Sequence, residues 1–212
     1  MSEHQYPASL THGLSREEIL NRLHNRLDEP RYEHCLRVEA TAIELAKRFD
    51  QDVDRAGLAG LLHDYGKEIP VETYKRVIIE DGFDPDLLQY GRGVWHGVVG
   101  VHFIQTEVGI TDKQVLTAIA RHTTGDPEMT KLDEIIFVGD FIEPARSLPV
   151  EAKARKAAET NLEEASRIEL ENTLTYLIGA RKLVFPKTLL TYNAFLTCLL
   201  YTSDAADEGL GV

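Results

Sequence analysis

Apolar residues recur at intervals of three and four along almost the whole chain, and this spacing is what most limits the possible folds. Near the start, Ser15 and Glu18 form a capping-box pattern ahead of Ile19, Leu23 and Leu27. Such spacing places apolar side chains on one face of a helix, whereas a half-buried strand would alternate. No convincing alternating stretch, internal repeat or low-complexity linker occurs. The sequence therefore predicts an all-α single domain.

The same periodicity predicts where the helices lie. The second helix begins near Pro30, which suits a first turn, and runs to about Phe49. A long, charge-patterned helix is predicted at about 150–170 with its charged face in solvent, and a shorter one ends near Gly179. The other predicted helices lie at about 53–65, after Pro70, and at about 94–107, 112–122 and 132–141.

Length, composition and charge exclude several classes of protein. A chain of 212 residues favours one domain. No apolar run approaches the roughly 18 residues of a membrane span, no signal peptide opens the chain, and only two cysteines occur, so a cytoplasmic location is expected. The net charge of -12 argues against binding nucleic acid or an anionic membrane. Polyphosphate is still an acceptable ligand if a metal ion supplies the positive charge.

The C-terminal residues form a separate segment. The string CLLYTSDAADEG, at 198–209, looks like a sequencing-adapter oligonucleotide translated in frame. We therefore expect 198–212 to be a non-native tail, with the domain at 14–197 and an N-terminal extension at 1–13. The alternative is a genuine disordered acidic tail.

Six residues of metal-binding type recur on the apolar faces of successive predicted helices. They are His34, His63, Asp64, His96, His122 and Asp140. Taken singly, each histidine is more often a hydrogen-bonded core residue, and Asp140 could be an ordinary inter-helix acceptor. Together they predict a metal site, because an ionised carboxylate on an apolar stripe is costly unless it is paired or bound to metal. Histidine and carboxylate donors without thiolate suit iron, manganese, cobalt or nickel more than structural zinc.

These residues also carry a resemblance to a known family. His34, then the His63-Asp64 pair, then Asp140 resembles the HD superfamily of metal-dependent phosphohydrolases. Longer strings resemble the YqeK family of symmetrical diadenosine tetraphosphate hydrolases, over about residues 14–196. These strings are LLHDYGKE (61–68), VWHGVVGVHF (94–103), ARHTTG (120–125), DFIEPAR (140–146) and PKTLLTYN (186–193).

The resemblance implies a fold, a metal centre and a reaction. The fold would be an HD-domain helical bundle, and the cofactor would be two metal ions, with iron as the first choice. One ion would be bound by His34, His63, Asp64 and Asp140. The other would be bound by His96 and His122, with Asp64 bridging both. The implied reaction is attack by a metal-activated hydroxide on diadenosine tetraphosphate to give two ADP.

The resemblance also implies which residues handle the phosphates. Lys67 and Arg146 would bind substrate and, with Asp64, take part in catalysis. The segment Thr123, Thr124 and Gly125 would cradle phosphate oxygens. The alternative interpretations are a helix-end lysine, a surface arginine and a helix C-cap.

Two positions depart from the family pattern. Asp126 stands where the family usually has arginine, and Gly139 stands where it usually has alanine. The first departure leaves two other functions open. One is an HD phosphohydrolase for another nucleotide, such as a nucleoside monophosphate or guanosine tetraphosphate, and the other is a non-catalytic nucleotide-sensing module. The expected partners are a dinucleoside polyphosphate substrate, no nucleic acid and no membrane, with a homodimer allowed.

Three neighbours of the predicted ligands receive structural interpretations. Cys35 should be a small buried residue that points away from the site. Trp95 could stack on an adenine, but packing is the better interpretation. Glu143 should shape the turn after the Asp140 helix and hydrogen-bond a nearby backbone group or arginine.

Overall fold

The computed structural model describes the backbone of residues 4–207 and the side chains of residues 4–197. Within the described backbone, all regular structure is helical and no strand occurs, so the predicted all-α fold is confirmed. The α-helices are α1 (Ala8–Thr11), α2 (Arg16–His24), α3 (Glu29–Arg48), α4 (Val53–Leu62), α5 (Val71–Glu80), α6 (Arg92–Val98), α7 (Gly100–Phe103), α8 (Lys113–Arg121), α9 (Lys131–Ile142), α10 (Pro149–Ala157), α11 (Leu162–Gly179) and α12 (Pro186–Asp207). A 3-10 turn at Pro85–Gln89 precedes α6, and a π-helical segment at Ile104–Val108 follows α7.

Helix α3 lies at the centre of the bundle, where it packs against α4 and α9. Val38, Ala42 and Leu45 are buried at helical spacing on the face that also carries His34. Burial of a side chain such as Leu45 contributes about 1.5–3 kcal/mol. Helix α4 approaches α3 so closely that a Cβ at Gly60 would lie 3.0 Å from the Val38 carbonyl oxygen. This close contact fixes the end of α4 beside His34.

Side-chain caps define the helix starts that the sequence predicted. In α2, Ser15 Oγ accepts from the Glu18 amide at 3.2 Å, while a Glu18 carboxylate oxygen accepts from the Ser15 amide at 2.8 Å. Asp28 caps α3 and Asp112 caps α8 in a similar way. Helix α4 ends at Leu62, before the predicted end at Tyr65, so the residues that follow it lie in a turn.

The prediction of one long solvated helix at 150–170 is wrong. The chain breaks after α10, and the Asn161 side chain caps α11 by accepting from the Glu164 amide at 3.0 Å. The charged face is also not fully solvated, because Glu151 is buried and Arg155 donates to the carbonyl oxygens of Ile142 and Arg146. Carbonyls at the end of α9 have no intrahelical partner, which explains why an arginine binds there.

Other differences concern the two ends and the middle of the chain. The helix predicted at 94–107 is divided into α6, α7 and the π-helical segment, and α12 was not predicted as a helix. Residues of the N-terminal extension pack on the domain, because Leu10 is buried and Tyr6 donates to Glu39 at 2.5 Å. The backbone of 198–207 continues α12, while 208–212 lies outside the described residues. The domain limits and the non-native origin of the tail stay predictions.

No described helix has the length and apolar content needed to cross a membrane.

Candidate metal centre

The structure brings all six predicted metal-binding residues together. They come from α3 (His34), the turn after α4 (His63 and Asp64), α6 (His96), the C-cap of α8 (His122) and the last turn of α9 (Asp140). The four histidines and Asp64 are buried, and the side chain of Asp140 is 21% exposed. His63 and Asp64 directly follow the end of α4 at Leu62, where His63 still has helical dihedral angles (φ -54°, ψ -39°).

One group of donor atoms surrounds the Oδ2 oxygen of Asp64. His34 Nε2 lies 3.8 Å from this oxygen, and His63 Nε2 lies 3.5 Å from it. His34 Nε2 also lies 3.0 Å from Asp140 Oδ1 and 3.3 Å from His63 Nε2. These atoms are close enough to one another to bind a single ion together.

A second group surrounds the other oxygen of the same carboxylate. His96 Nε2 lies 3.2 Å from Asp64 Oδ1, and His122 Nε2 lies 3.9 Å from it. The two imidazole nitrogens are 3.1 Å apart. Asp64 therefore lies between two donor groups, which is the position that a bridging carboxylate needs.

Each imidazole is oriented through its other nitrogen. The Nδ1 atoms of His63, His96 and His122 each lie 2.6–2.8 Å from a backbone carbonyl oxygen three or four residues earlier. His34 Nδ1 lies 3.3 Å from Glu143 Oε1. An Nδ1–H that donates to an oxygen leaves Nε2 as the unprotonated atom, and this arrangement is typical of metal-binding histidines. All four Nε2 atoms consequently face the centre.

The electrostatics of the centre also fit bound cations. Burial would raise the pKa of Asp64, but His63 and His96 hold that pKa well below its usual value, so the carboxylate is ionised. Burial, together with His96 and His63, lowers the pKa of His122 well below its usual value and keeps the ring neutral. Asp64 Oδ1 is buried and has no hydrogen-bond partner. A buried carboxylate oxygen that accepts no hydrogen bond is costly, and a metal ion would satisfy it.

The two predicted phosphate-binding cations lie beside the donor groups. Lys67 Nζ is 3.3 Å from Asp64 Oδ1 and 3.0 Å from His96 Nε2. Arg146 Nη2 donates to Asp140 Oδ1 at 2.9 Å, and its Nε donates to the Asp140 carbonyl at 3.2 Å. Neither residue is an isolated surface charge, although their predicted contacts with substrate stay predictions.

Three further arginines, which the sequence analysis missed, lie around the same centre. Arg31 donates to Asp64 Oδ2 at 2.7 Å, and Arg37 donates to Glu143 at 2.7 Å. Arg92 is exposed and forms no ion pair within the described side chains. Together with Lys67 and Arg146, they line a cavity of about 570 Å³ that opens onto His34.

A sequence signal for these arginines does exist. Arg31 and Arg37 lie three residues before and after His34, and Arg92 lies four residues before His96. Each is therefore one helical turn from a predicted ligand. A search at that spacing would have found them.

The Thr123–Gly125 segment is used in more than one way. Gly125 has φ +65° and its amide donates to the Arg121 carbonyl at 2.8 Å, so its amide ends α8 and is not available to a phosphate. Thr124 Oγ1 donates to the Gly125 carbonyl at 3.0 Å. Thr123 Oγ1 is buried and has no partner. Of the two threonine hydroxyls, the one of Thr123 forms no hydrogen bond.

The three structural interpretations agree with the structure. Cys35 is fully buried, and burial raises the pKa of its thiol well above the usual value. Trp95 is buried and its Nε1 donates to the Leu87 carbonyl at 2.7 Å, so it packs in the core. Glu143 accepts from Arg37 and from the Ala145 amide at 2.8 Å.

Comparisons with known proteins identify a family model and relatives that this chain resembles. The HD domain family model matches residues 31–166. The symmetrical bis(5'-nucleosyl)-tetraphosphatase of Bacillus subtilis is 42% identical over 180 residues, which cover 85% of this chain and 97% of that protein. The protein of the same name from Halalkalibacterium halodurans is 40% identical and covers 86% and 98%.

A solved structure shares the fold. It is the crystal structure of a predicted HD superfamily hydrolase involved in NAD metabolism from Clostridium acetobutylicum. The two chains are 33% identical and superpose with a TM-score of 0.83, over 87% of this chain and 98% of that one. The range matched by the family model contains all six residues of the metal centre.

Proposed function

This chain belongs to the HD domain family and to the group of symmetrical bis(5'-nucleosyl)-tetraphosphatases, and from that premise we propose that it hydrolyses diadenosine tetraphosphate symmetrically to two ADP. The observation that carries the proposal is the position of Asp64 between two donor groups, each within 4 Å of a different carboxylate oxygen. The names of the relatives support the substrate, and the geometry supports metal-dependent hydrolysis.

The donor atoms divide into two metal sites in this proposal. Three overlapping groups have donor atoms within 4.8 Å of one another: His34, His63 and Asp64; Asp64, His96 and His122; and His63, His122 and Asp140. Of the possible divisions, the one proposed has His34, His63 and Asp140 holding one ion, His96 and His122 holding the other, and Asp64 binding both. Bound ions would act as Lewis acids and make a water nucleophile available at neutral pH. We propose iron as the metal because the family resemblance implies it, and the imidazole and carboxylate donors without thiolate suit iron, manganese, cobalt or nickel.

The surrounding cations suit a polyphosphate chain. The cavity of about 570 Å³ is lined by Lys67 and by four arginines. Lys67 and Arg146 contact Asp64 and Asp140 directly, so they are placed to bind phosphate oxygens next to the metal centre. Fixed donors in such a site stabilise charge that develops during the reaction.

The departure at Asp126 does not weaken this proposal. Asp126 lies 2.6 Å from Lys187 Nζ and 3.2 Å from Arg121 Nη2, and it does not line the cavity of about 570 Å³. Its charge is therefore neutralised away from the substrate. No feature of the described residues favours the sensing module or another nucleotide over the proposed reaction.

Product chromatography tests the proposed function. Iron- or manganese-loaded protein is incubated with diadenosine tetraphosphate beside a chelated control. We expect ADP as the sole product, lost on chelation. AMP together with ATP, or no product from protein with measured bound metal, would contradict the proposal.

Substitution of Arg146 tests the role of the cations. We expect Arg146→Ala to lower kcat/KM by about 10²–10³-fold, as loss of one charge-stabilising donor does, without loss of bound metal. Arg76→Ala, at an exposed position on α5, is the matched control and should leave kcat/KM unchanged. Equal activity of the two variants would remove Arg146 from the site.

The homodimer and the cytoplasmic location stay predictions. Light scattering of the purified protein measures the first against the chain mass of 23.8 kDa.

A further inference from the structure

A second cavity lies beside the cationic one and differs from it in character. Its volume is about 770 Å³, within the range of roughly 300–1,000 Å³ that small-molecule sites occupy. The two cavities share Lys67, Gly93 and Arg146. They therefore meet at the two cations that contact the metal centre. The cationic cavity is lined mainly by charged side chains, while the second is lined mainly by apolar, aromatic and hydroxyl-bearing ones.

An aromatic pair forms one wall of the second cavity. The rings of Tyr90 and Phe185 meet edge to face, with centroids 5.0 Å apart and an interplanar angle of 85°. Both side chains are half-buried, and Leu177 and Leu183 also line the cavity. An aromatic wall of this kind offers ring faces on which a nucleobase can stack.

The start of α12, next to Phe185, contacts the loop that follows His122. Phe185 immediately precedes α12, and the Thr188 amide donates to its carbonyl at 2.9 Å. Lys187 Nζ donates to Asp126 at 2.6 Å, and Thr191 lies so close to Gly125 that a Cβ there would be 2.7 Å from its methyl group. The residue that departs from the family pattern thus holds the start of α12 in place.

Thr123 also lines the second cavity, but its Oγ1 is buried and is not accessible from it. The cavity therefore combines the cations Lys67 and Arg146 with an aromatic wall.

We propose that the second cavity binds the nucleoside of the substrate half whose phosphates contact Lys67 and Arg146, and that the Tyr90–Phe185 wall selects nucleotides over inorganic polyphosphates. This inference rests on the proposed function, because that function supplies a substrate with a nucleoside at each end. Tyr90 and Phe185 are specificity-determining residues in this proposal, and the Lys187–Asp126 pair positions them.

Calorimetry on the manganese-loaded full chain tests the inference. The probes are ADP, which has a nucleoside, and inorganic diphosphate, which has none. We expect Phe185→Ala to raise the Kd for ADP by about 5- to 150-fold, since base–aromatic stacking is worth roughly 1–3 kcal/mol. The Kd for diphosphate should stay within about twofold of the wild-type value, because an uncharged ring contributes little to binding an anion.

Two further variants separate a loss of binding from a general disturbance. Phe83→Ala removes a half-buried aromatic side chain that contacts His102 away from the cavity, and both Kd values should be unchanged. Tyr90→Leu removes the other ring of the wall without altering α12. It should raise the Kd for ADP and leave the Kd for diphosphate unchanged. An unchanged Kd for ADP in both wall variants, or equal weakening of ADP and diphosphate, would overturn the inference.

The test is independent of turnover. If the wild-type protein binds ADP through the wall but produces no ADP from diadenosine tetraphosphate, the proposed function fails and the nucleoside site stands. If turnover is normal and the wall variants bind ADP like wild type, only the nucleoside site fails.

Discussion

Helix α3 carries two buried polar clusters, and they are satisfied in opposite ways. Glu39 accepts hydrogen bonds from Tyr6 at 2.5 Å and from two nitrogens of Arg16 at 2.5 and 3.0 Å. Five residues earlier, His34 belongs to a cluster in which imidazole Nε2 atoms lie 3.3 Å apart and Asp64 Oδ1 accepts no hydrogen bond. The Glu39 cluster is closed by groups of the chain itself, whereas the His34 cluster needs a ligand from outside.

Hydrogen bonding therefore distinguishes a structural buried cluster from a functional one. A buried cluster whose polar groups are hydrogen-bonded to one another stabilises the folded state. Mutations in it should therefore lower the free energy of unfolding. A cluster of acceptors that face one another lowers the stability of the folded state until a cation binds. Mutations in such a cluster should therefore weaken ligand binding and lower activity. The predictions below test this division.

The largest effect is expected for Asp64→Ala. Loss of the carboxylate that lies between both donor groups should remove bound metal and lower turnover of diadenosine tetraphosphate by more than about 10³-fold, the upper value for one donor in a preorganised site. The metal-free variant should be less stable than the metal-free wild type, because Arg31 loses the carboxylate oxygen to which it donates at 2.7 Å. Elemental analysis, activity and thermal unfolding measure the three quantities. Retained metal with full turnover would break the proposed dinuclear centre.

The opposite pattern is expected for Glu39→Ala. Breaking the buried pair with Arg16 should lower the free energy of unfolding by about 3 kcal/mol and the Tm by roughly 6–12 °C, with metal content unchanged. Glu33→Ala, at an exposed position on the same helix, is the matched control and should stay within about 0.5 kcal/mol of wild type. Equal stability of the two variants would show that the closed cluster is not structural.

Glu143 contacts both His34 and Arg37, and a smaller effect is expected for Glu143→Gln. Glu143 orients His34 through Nδ1, so loss of its charge should weaken metal binding by about 10–100-fold in competition with a chelator. Glu134→Gln is the control. It alters a buried carboxylate near the start of α9, at the opposite end from Glu143, and should leave metal affinity unchanged. If both variants bind metal like wild type, the orientation of His34 does not depend on Glu143.

No effect is expected from removing residues 198–212, if they are the non-native tail that the sequence indicates. Activity should be unchanged and the Tm should differ by no more than about 2 °C, the shift produced by roughly 0.5 kcal/mol. A large loss of activity would show that the segment belongs to the functional protein.

The sequence predicted most of the helices and every member of the candidate metal cluster, for a physical reason. Apolar positions at helical spacing identify the buried face, and a histidine or aspartate on that face stands out against its neighbours. His34, His96 and Asp140 were found in this way and lie where the pattern placed them. Arg31 and Arg37 were missed because an arginine on a partly exposed face has the same pattern as one in solvent.

The break before α11 could not be predicted by the same method. Residues 150–170 keep a helical pattern of charges, and the interruption depends on Asn161 and on the contact of Arg155 with the end of α9. That contact joins residues of different helices, so no local pattern reports it. Tertiary packing overrides helix propensity at such positions.

By itself, the sequence determined the all-α class, the buried faces and the chemical types of the candidate metal-binding side chains, because these follow from local periodicity. Only the tertiary structure decided that Arg31 donates to Asp64, that Arg37 donates to Glu143 and how Tyr90 meets Phe185. These features depend on distances between helices, which packing of the whole core sets.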